Sequence, residues 1–244
     1  MAEWWASLFT DMSSTAFFNF KFLPKYGMLF LQGVECTLLL AVVSVLLAVV
    51  PALLLALMRL SKNRLIKGVS GAYITVFRST PLLVQLMIIS FGLFANFNVR
   101  YNLFGFIPML NFVPCVVALA LNSSAYVAEI FRAGILAVDA GQMEAARSLG
   151  LSKWQGMKMV VLPQAIKNVL PALANEIITM VKESSICMVL GICDLMFAAK
   201  STAGSTWVST APYVLAAIIY FAINFPAGKA VEAVERRMRR GDMR

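Results

Sequence analysis

The chain has 244 residues, 60% of them hydrophobic and only 14% charged, with a mean hydropathy of +0.80 and a formal net charge of +9. A soluble domain is nearer about 45–50% apolar and about 25% charged, so this composition describes an integral membrane protein. Histidine is absent, which removes His-ligated metals, His-based triads and His proton relays, and the basic residues crowd into particular turns, which argues against nucleic acid as a partner.

In chain order, residues 1–26 form an expected extracytoplasmic interfacial arm. Trp4, Trp5, Phe9, Phe17, Phe18 and Phe20 alternate there with Ser, Asp and Asn. No basic start followed by a short apolar run is present, so a cleavable signal is not expected. A transmembrane unit over 27–235 follows. Five segments, near 27–58, 69–95, 113–137, 167–193 and 211–234, are long enough to cross about 30 Å of hydrocarbon. The first is longer than needed and holds Gly33 and Pro51, which predicts a tilt or kink. A basic tail over 236–244 faces anionic lipid. The cysteines, Cys36, Cys115, Cys187 and Cys193, lie in or beside apolar segments without C-x-x-C spacing and read as small apolar filler.

Basic residues set the orientation. Arg59, Lys62, Arg64 and Lys67 follow span one; Arg147, Lys153 and Lys158 occupy the loop after span three; Lys229, Arg236, Arg237, Arg239, Arg240 and Arg244 close the chain. The opposite side has Lys21, Lys25, Arg100 and Lys200. The positive-inside rule places the N-terminus outside and the C-terminus in the cytoplasm.

The loop 138–166 is then cytoplasmic, and its pattern predicts a helix-turn-helix. Asp139 with Gln142, and Ser152 with Gln155, read as capping boxes at two helix starts, and Gly150 sits where the first helix would end in a left-handed cap. Inside the spans, helix rise puts Arg78, Asn122 and Glu176 each roughly 14 Å deep, near the midplane. A buried charge there costs at least about 2.5–3.5 kcal/mol on insertion scales, so each needs a reason. Arg78 and Glu176 either serve a ligand or pair with each other. Glu129 and Arg132 share one helix face and read as a structural or gating pair, as do Lys182 and Glu183 toward the outer side. Pro81 would free the carbonyl four residues back for a ligand. No G-x-x-x-x-G-K-[ST] run exists, so no ATP site is expected in this chain.

The order Glu144-Ala145-Ala146, three residues, Gly150, nine residues, then Val160-Val161-Leu162-Pro163 resembles the coupling loop of bacterial ABC importer permeases; Val160 stands where Ile is commoner. Three further stretches resemble the polar amino-acid branch of that family, the histidine, glutamine, arginine, glutamate and cystine importers. They are Phe77-Arg78-Ser79-Thr80-Pro81 through Leu86, Asn122-Ser123-Ser124 through Gly134, and Leu162-Pro163-Gln164-Ala165 with Asn175 and Lys182-Glu183-Ser184-Ser185.

The resemblance implies an all-α polytopic fold of the type I ABC importer permease kind, with about five transmembrane helices and a cytoplasmic coupling helix-turn-helix. It implies a subunit of the bacterial inner membrane that translocates a polar amino acid by alternating access and is not itself an enzyme. The partners implied are ABC ATPase subunits, which hold the ATP and Mg, a second permease subunit, identical or different, and an extracytoplasmic amino-acid-binding protein. Arg78, Thr80, Gln85, Asn122, Ser123, Asn175 and Glu176 are then candidates for solute contact. Glu144, Ala145, Ala146, Gly150, Leu162 and Pro163 are candidates for ATPase coupling, with Ala145 and Ala146 small enough to admit another subunit. Glu144 has a local alternative, stabilising its own first helical turn. An ion-coupled secondary transporter of a small polar solute is the competing reading. It explains the intramembrane charges but not the cytoplasmic hairpin.

Overall fold

The structure is a computed structural model that describes residues 18–240. Most of the expected interfacial arm, including Trp4, Trp5, Phe9 and Phe17, and residues 241–244 of the basic tail lie outside the described residues. Helix α1 (Leu23–Leu60) has a proline in its first turn, where a missing N–H is no loss, and continues through Pro51. Its buried stripe is built largely of small residues: Gly33, Cys36, Ala41, Ser44, Ala48, Ala52 and Ala56. Without a hydrophobic driving force between helices in lipid, such residues allow the close approach that holds helices together. The stripe packs along α4 (Met109–Leu136), the central contact of the fold.

The expected second span, 69–95, is not one helix. α2 (Arg64–Ser79), capped by the Asn63 side chain on the Leu65 N–H at 2.9 Å, ends at Thr80, and α3 (Leu82–Ile88, widened into a π turn over Ile89–Leu93) leaves at 108° to it. Pro81 has no N–H and holds Thr80 extended (φ −113°, ψ 145°), so the chain turns instead of continuing. A two-residue antiparallel ribbon, β1 (Asn102–Leu103) with β2 (Ile107–Pro108), then leads into α4.

The hairpin expected over 138–166 forms, with a different second arm from that expected. α5 (Ala140–Ser148) ends in a left-handed cap: Gly150 has φ +84°, its N–H reaches the Arg147 carbonyl, and the Leu151 N–H reaches that of Ala146, both at 3.1 Å. The second arm is not a separate short helix. α6 (Lys153–Gly156) passes through a π turn (Met157–Val161) directly into α7 (Leu162–Glu183). Pro163 lies in the first turn of α7 and cannot donate to the turn before it, and a π turn is one way a helix absorbs that defect. The expected fourth span, 167–193, therefore takes in the C-terminal part of a helical path that begins at Lys153, together with the 3-10 stretch that follows it.

After α7 a 3-10 stretch (Ser184–Leu190) and Gly191 at φ +77° lead to α8 (Leu195–Thr206), bent 47° from what precedes it. α8 lies between the expected spans 167–193 and 211–234, where no helix is expected. Its start is fixed by buried Asp194, whose Oδ1 accepts from the Phe197 N–H at 2.8 Å. α9 (Ala211–Arg240) packs on α7 and α8. Among the described residues, three unbroken helices are long and apolar enough to cross a membrane, and five spans result if each bent pair counts as one.

The packing leaves little slack where α8 meets α1. A Cβ on Gly33 would sit 2.8 Å from the Leu195 Cα and 3.0 Å from the Asp194 carbonyl oxygen, both backbone atoms. Gly33→Val should therefore push α8 away and cost about 1–3 kcal/mol. Thermal unfolding of the purified protein in detergent checks this; an unchanged midpoint would contradict the close approach.

Candidate functional site

The break at Thr80-Pro81 is held by a buried amide pair. The two N–H groups of Gln85 Nε2 are shared among the Phe77 carbonyl (2.8 Å), Thr80 Oγ1 (2.8 Å) and the Thr80 carbonyl (3.1 Å). Asn122 Nδ2, on α4, donates to Gln85 Oε1 at 2.9 Å and approaches the Phe77 carbonyl at 3.4 Å. Phe77 is the residue four before Pro81, so the carbonyl expected to be free for a ligand is instead satisfied within the chain. Gln85 is 7% and Asn122 4% exposed. Both residues, proposed from sequence as solute contacts, here have their amides committed to the backbone break. Thr80 donates its hydroxyl to the Val76 carbonyl at 2.8 Å.

The remaining candidates separate onto other faces of α4. Ser123 Oγ donates to Glu176 Oε1 on α7 at 2.8 Å. Arg78 does not pair with Glu176: among the described residues no ion pair joins them, and the Arg78 guanidinium lies over the Tyr126 ring, 5.3 Å from its centroid. Tyr126 was not singled out from sequence, although an aromatic four residues after Asn122 was a readable signal. Arg78 lines a cleft of about 470 Å³ with Arg59, Glu129 and Arg132. Asn175 points elsewhere, into a cleft of about 360 Å³ with Asn168, Lys167 and Glu235. The seven candidates are thus not one pocket.

Glu129 and Arg132 form the expected pair, Nε and Nη2 reaching the same Oε2 at 2.9 and 2.7 Å. Lys182 and Glu183 do not: among the described residues no ion pair links them, and adjacent positions on a helix do not face each other.

In the hairpin, Ser152 and Gln155 make the reciprocal capping box, with the Ser152 N–H on Gln155 Oε1 at 2.8 Å and the Gln155 N–H on Ser152 Oγ at 3.3 Å. The Asp139–Gln142 box does not form. Asp139 accepts from the Gly141 N–H at 2.7 Å, while Gln142 Oε1 accepts from Gln164 Nε2 at 3.2 Å and so ties the two arms together. Glu144 lies beyond the first turn of α5, which corrects the idea that it stabilises that turn against the dipole. Ala145 is exposed, but Ala146 is buried at 4% and turned inward. A Cβ on Gly156 would lie 3.5 Å from the Ala146 Cβ and 2.8 Å from Met143 Sδ, so Ala146 serves the contact between arms and not one with another subunit. The outward tip carries Leu149, 84% exposed, and Trp154, 73% exposed, neither picked from sequence. Leu162 and Pro163 are exposed where the arm becomes the span.

A polytopic helical bundle with an apolar-tipped hairpin continuous with a polar-lined span is the architecture of a membrane transport subunit. Residues 44–240 match the family described as "Binding-protein-dependent transport system inner membrane component", and the chain belongs to that family. The chain is 41% identical over 212 residues to the arginine transport system permease protein ArtQ of Bacillus subtilis (strain 168), covering 87% of this chain and 93% of that one. It is 39% identical over 222 residues to the putative glutamine transport system permease protein GlnP of Rickettsia prowazekii (strain Madrid E), covering 89% and 96%. A solved amino acid ABC transporter with histidines superposes with a TM-score of 0.79 at 46% identity, covering 88% of this chain and 96% of that one. An inward-facing methionine transporter, MetNI, shares the fold with a TM-score of 0.64 at 21% identity. The chain is a multi-pass permease subunit of an ABC importer, not an enzyme, and an autonomous ion-coupled transporter is not favoured.

The clamp across Pro81 has a measurable energy. Asn122→Ala leaves Gln85 Oε1 buried without its donor, a loss of about 1–3 kcal/mol. Thermal unfolding in detergent should fall accordingly, and a variant as stable as the parent would show that Asn122 does not support the break.

Proposed function

We propose that this subunit passes a polar amino acid across the bacterial inner membrane, receiving it from an extracytoplasmic binding protein and driven by ATP and Mg held on partner ATPases. The N-terminus is outside and the C-terminus cytoplasmic, as the basic turns require. The observation that carries the reading is Glu176: a half-buried carboxylate on a membrane-spanning helix that, among the described residues, is met by one neutral hydroxyl, that of Ser123, and by no ion-pair partner. A carboxylate so placed is costly without a cation, and the ammonium of an amino acid supplies one. Arg78, held against Tyr126 on another face of α4 and lining a separate cleft, is a cation that the solute's carboxylate would meet at a different point of its path. Relatives named for arginine, glutamine and nopaline transport agree with an amino-acid class of solute.

The drive enters at the hairpin. Leu149 and Trp154 offer the apolar anchors, with Glu144 and Ala145 beside them, for the cleft of an ATPase. The second arm and α7 are one uninterrupted helical path from Lys153 to Glu183, so a tilt at the tip reaches Glu176 without crossing a loop. Nucleotide must bind one state of the assembly better than the other for this to shift a population. A second permease subunit, a copy of this chain or a relative, completes the pair.

Two variants separate the parts. Glu176→Gln keeps a hydrogen-bonding group for Ser123 and removes the charge; solute uptake in proteoliposomes should fall roughly tenfold to a hundredfold with ATP binding intact, in line with about 1.5–3 kcal/mol for a charged hydrogen bond. Uptake at the parental rate would remove Glu176 from the solute path. Gly150→Val forces a β-branched residue into the left-handed region at a cost of about 1–2 kcal/mol and should separate ATP hydrolysis from uptake. Normal solute-stimulated hydrolysis with normal uptake in that variant would count against the hairpin as the coupling element.

A further inference from the structure

A basic recess on the cytoplasmic side has no part in the solute or ATPase readings. The last turn of α1 supplies Arg59, the first turn of α2 supplies Lys67, and the end of α4 supplies Arg132; together with Ser61, Leu60 and Leu136 they line a cavity of about 360 Å³. This is at the small end of ligand pockets, which run from about 300 to 1,000 Å³. Arg59 and Arg132 also line the cleft that holds Arg78, so the two spaces adjoin.

The charge in this recess is not balanced. The single carboxylate at its edge, Glu129, is already engaged by Arg132 through two hydrogen bonds. Among the described residues, neither Arg59 nor Lys67 has an ion-pair partner. Arg59 is also seated: a Cβ on Gly71 of α2 would fall 2.8 Å from its Nη1, so the missing side chain at Gly71 gives the guanidinium its berth between α1 and α2. A seated guanidinium, a nearby ammonium and a hydroxyl make a site for an oxyanion.

We propose that this recess binds the phosphodiester headgroup of an anionic phospholipid of the cytoplasmic leaflet. Two observations select a lipid over a soluble anion or a protein. The recess lies at the ends of membrane-spanning helices, the level of the headgroups. Leu136, 59% exposed, lines it, and Leu57 and Leu65, 53% and 80% exposed, lie on the same turns of α1 and α2 as Arg59 and Lys67, where acyl chains can cover them. The tip that serves the ATPase is on a separate element, α5 and the turn after it. A bound lipid would tie α1, α2 and α4 together at their cytoplasmic ends. The proposal needs the membrane embedding and sidedness of these helix ends, and it is independent of which solute is carried.

The test uses the permease assembled with its ATPase, purified in mild detergent and analysed by native mass spectrometry after exposure to phosphatidylglycerol and phosphatidylcholine in equal amounts. The parent should retain phosphatidylglycerol preferentially. Arg59→Gln with Lys67→Gln should reduce that preference roughly tenfold or more, and Arg59→Lys with Lys67→Arg should restore most of it. Gly71→Leu, which unseats Arg59 without removing a charge, gives a second reading if the double variant does not assemble. Equal retention of phosphatidylglycerol in parent and variants would overturn the proposal. So would displacement of the lipid by millimolar inorganic phosphate or by amino acid, which would mark a site for a soluble anion, and so would loss of the ATPase from the double variant with lipid retention unchanged, which would mark a protein contact. Failure of Glu176→Gln to affect uptake would leave this result untouched, so the two readings fail separately.

Discussion

The carbonyl of Phe77 is the constraint on which the rest of the site depends. Inside a bilayer no water is available to satisfy a freed backbone group, and each one left bare costs several kcal/mol. Pro81 frees this carbonyl and turns the chain through 108°. Gln85 answers from the next helix and Asn122 supports Gln85 from α4. The broken segment is therefore stable only while α3 and α4 remain in register. The amides that hold it are buried, so the turn can present Arg78 on its open side without unravelling.

Close approach has a similar role at the helix crossings. Gly33 admits the backbone of α8 against α1, and Gly134 of α4 admits the Val169 side chain of α7. In lipid such contacts replace the hydrophobic drive that water supplies to soluble folds. The second of these fixes α7 against α4 near the hairpin, a few turns from where Ser123 meets Glu176. The hairpin repeats the device outside the membrane, with Ala146 against Gly156 and the Gln142–Gln164 bond bracing one arm on the other.

Local chemistry was the most legible part of this chain. Ser152 with Gln155 and Gly150 at its left-handed turn are where spacing placed them, because caps and turns depend on few neighbours. The Glu129–Arg132 pair was readable for the same reason. Long-range features were not. Helix rise put Arg78 at the same depth as Glu176, but depth does not say which face a side chain takes, and Arg78 lies over Tyr126 while Glu176 meets Ser123. Ala145 and Ala146 look alike in sequence, and only the packing of α5 on Gly156 shows that one faces out and the other in. α8 was hidden because its apolar residues follow closely on the preceding span. Asp194, fully buried, was its start signal, and an acidic N-cap inside an apolar run is easily read as a loop. The merger of the second arm with α7 was masked by Pro163, which reads as a helix start and is instead absorbed by a π turn.

Two sets of polar side chains meet α4, but not with equal strength. On one face Asn122 enters a network with Gln85, Thr80 and two carbonyls, and the hydroxyl of Tyr73 on α2 adds contacts to the Leu121 carbonyl and Ser124, each at 2.9 Å. On the other face Ser123 reaches Glu176 through one hydrogen bond. Networks of this kind resist partial loss, because releasing one member leaves others unpaired. A single hydrogen bond to a charged group is worth only about 1.5–3 kcal/mol, within the few kcal/mol that separate states of a two-state protein. The broken helix is therefore joined to α4 by a polar network, whereas α7, continuous with the hairpin, meets α4 through a single hydrogen bond at Glu176 and through close packing at Gly134.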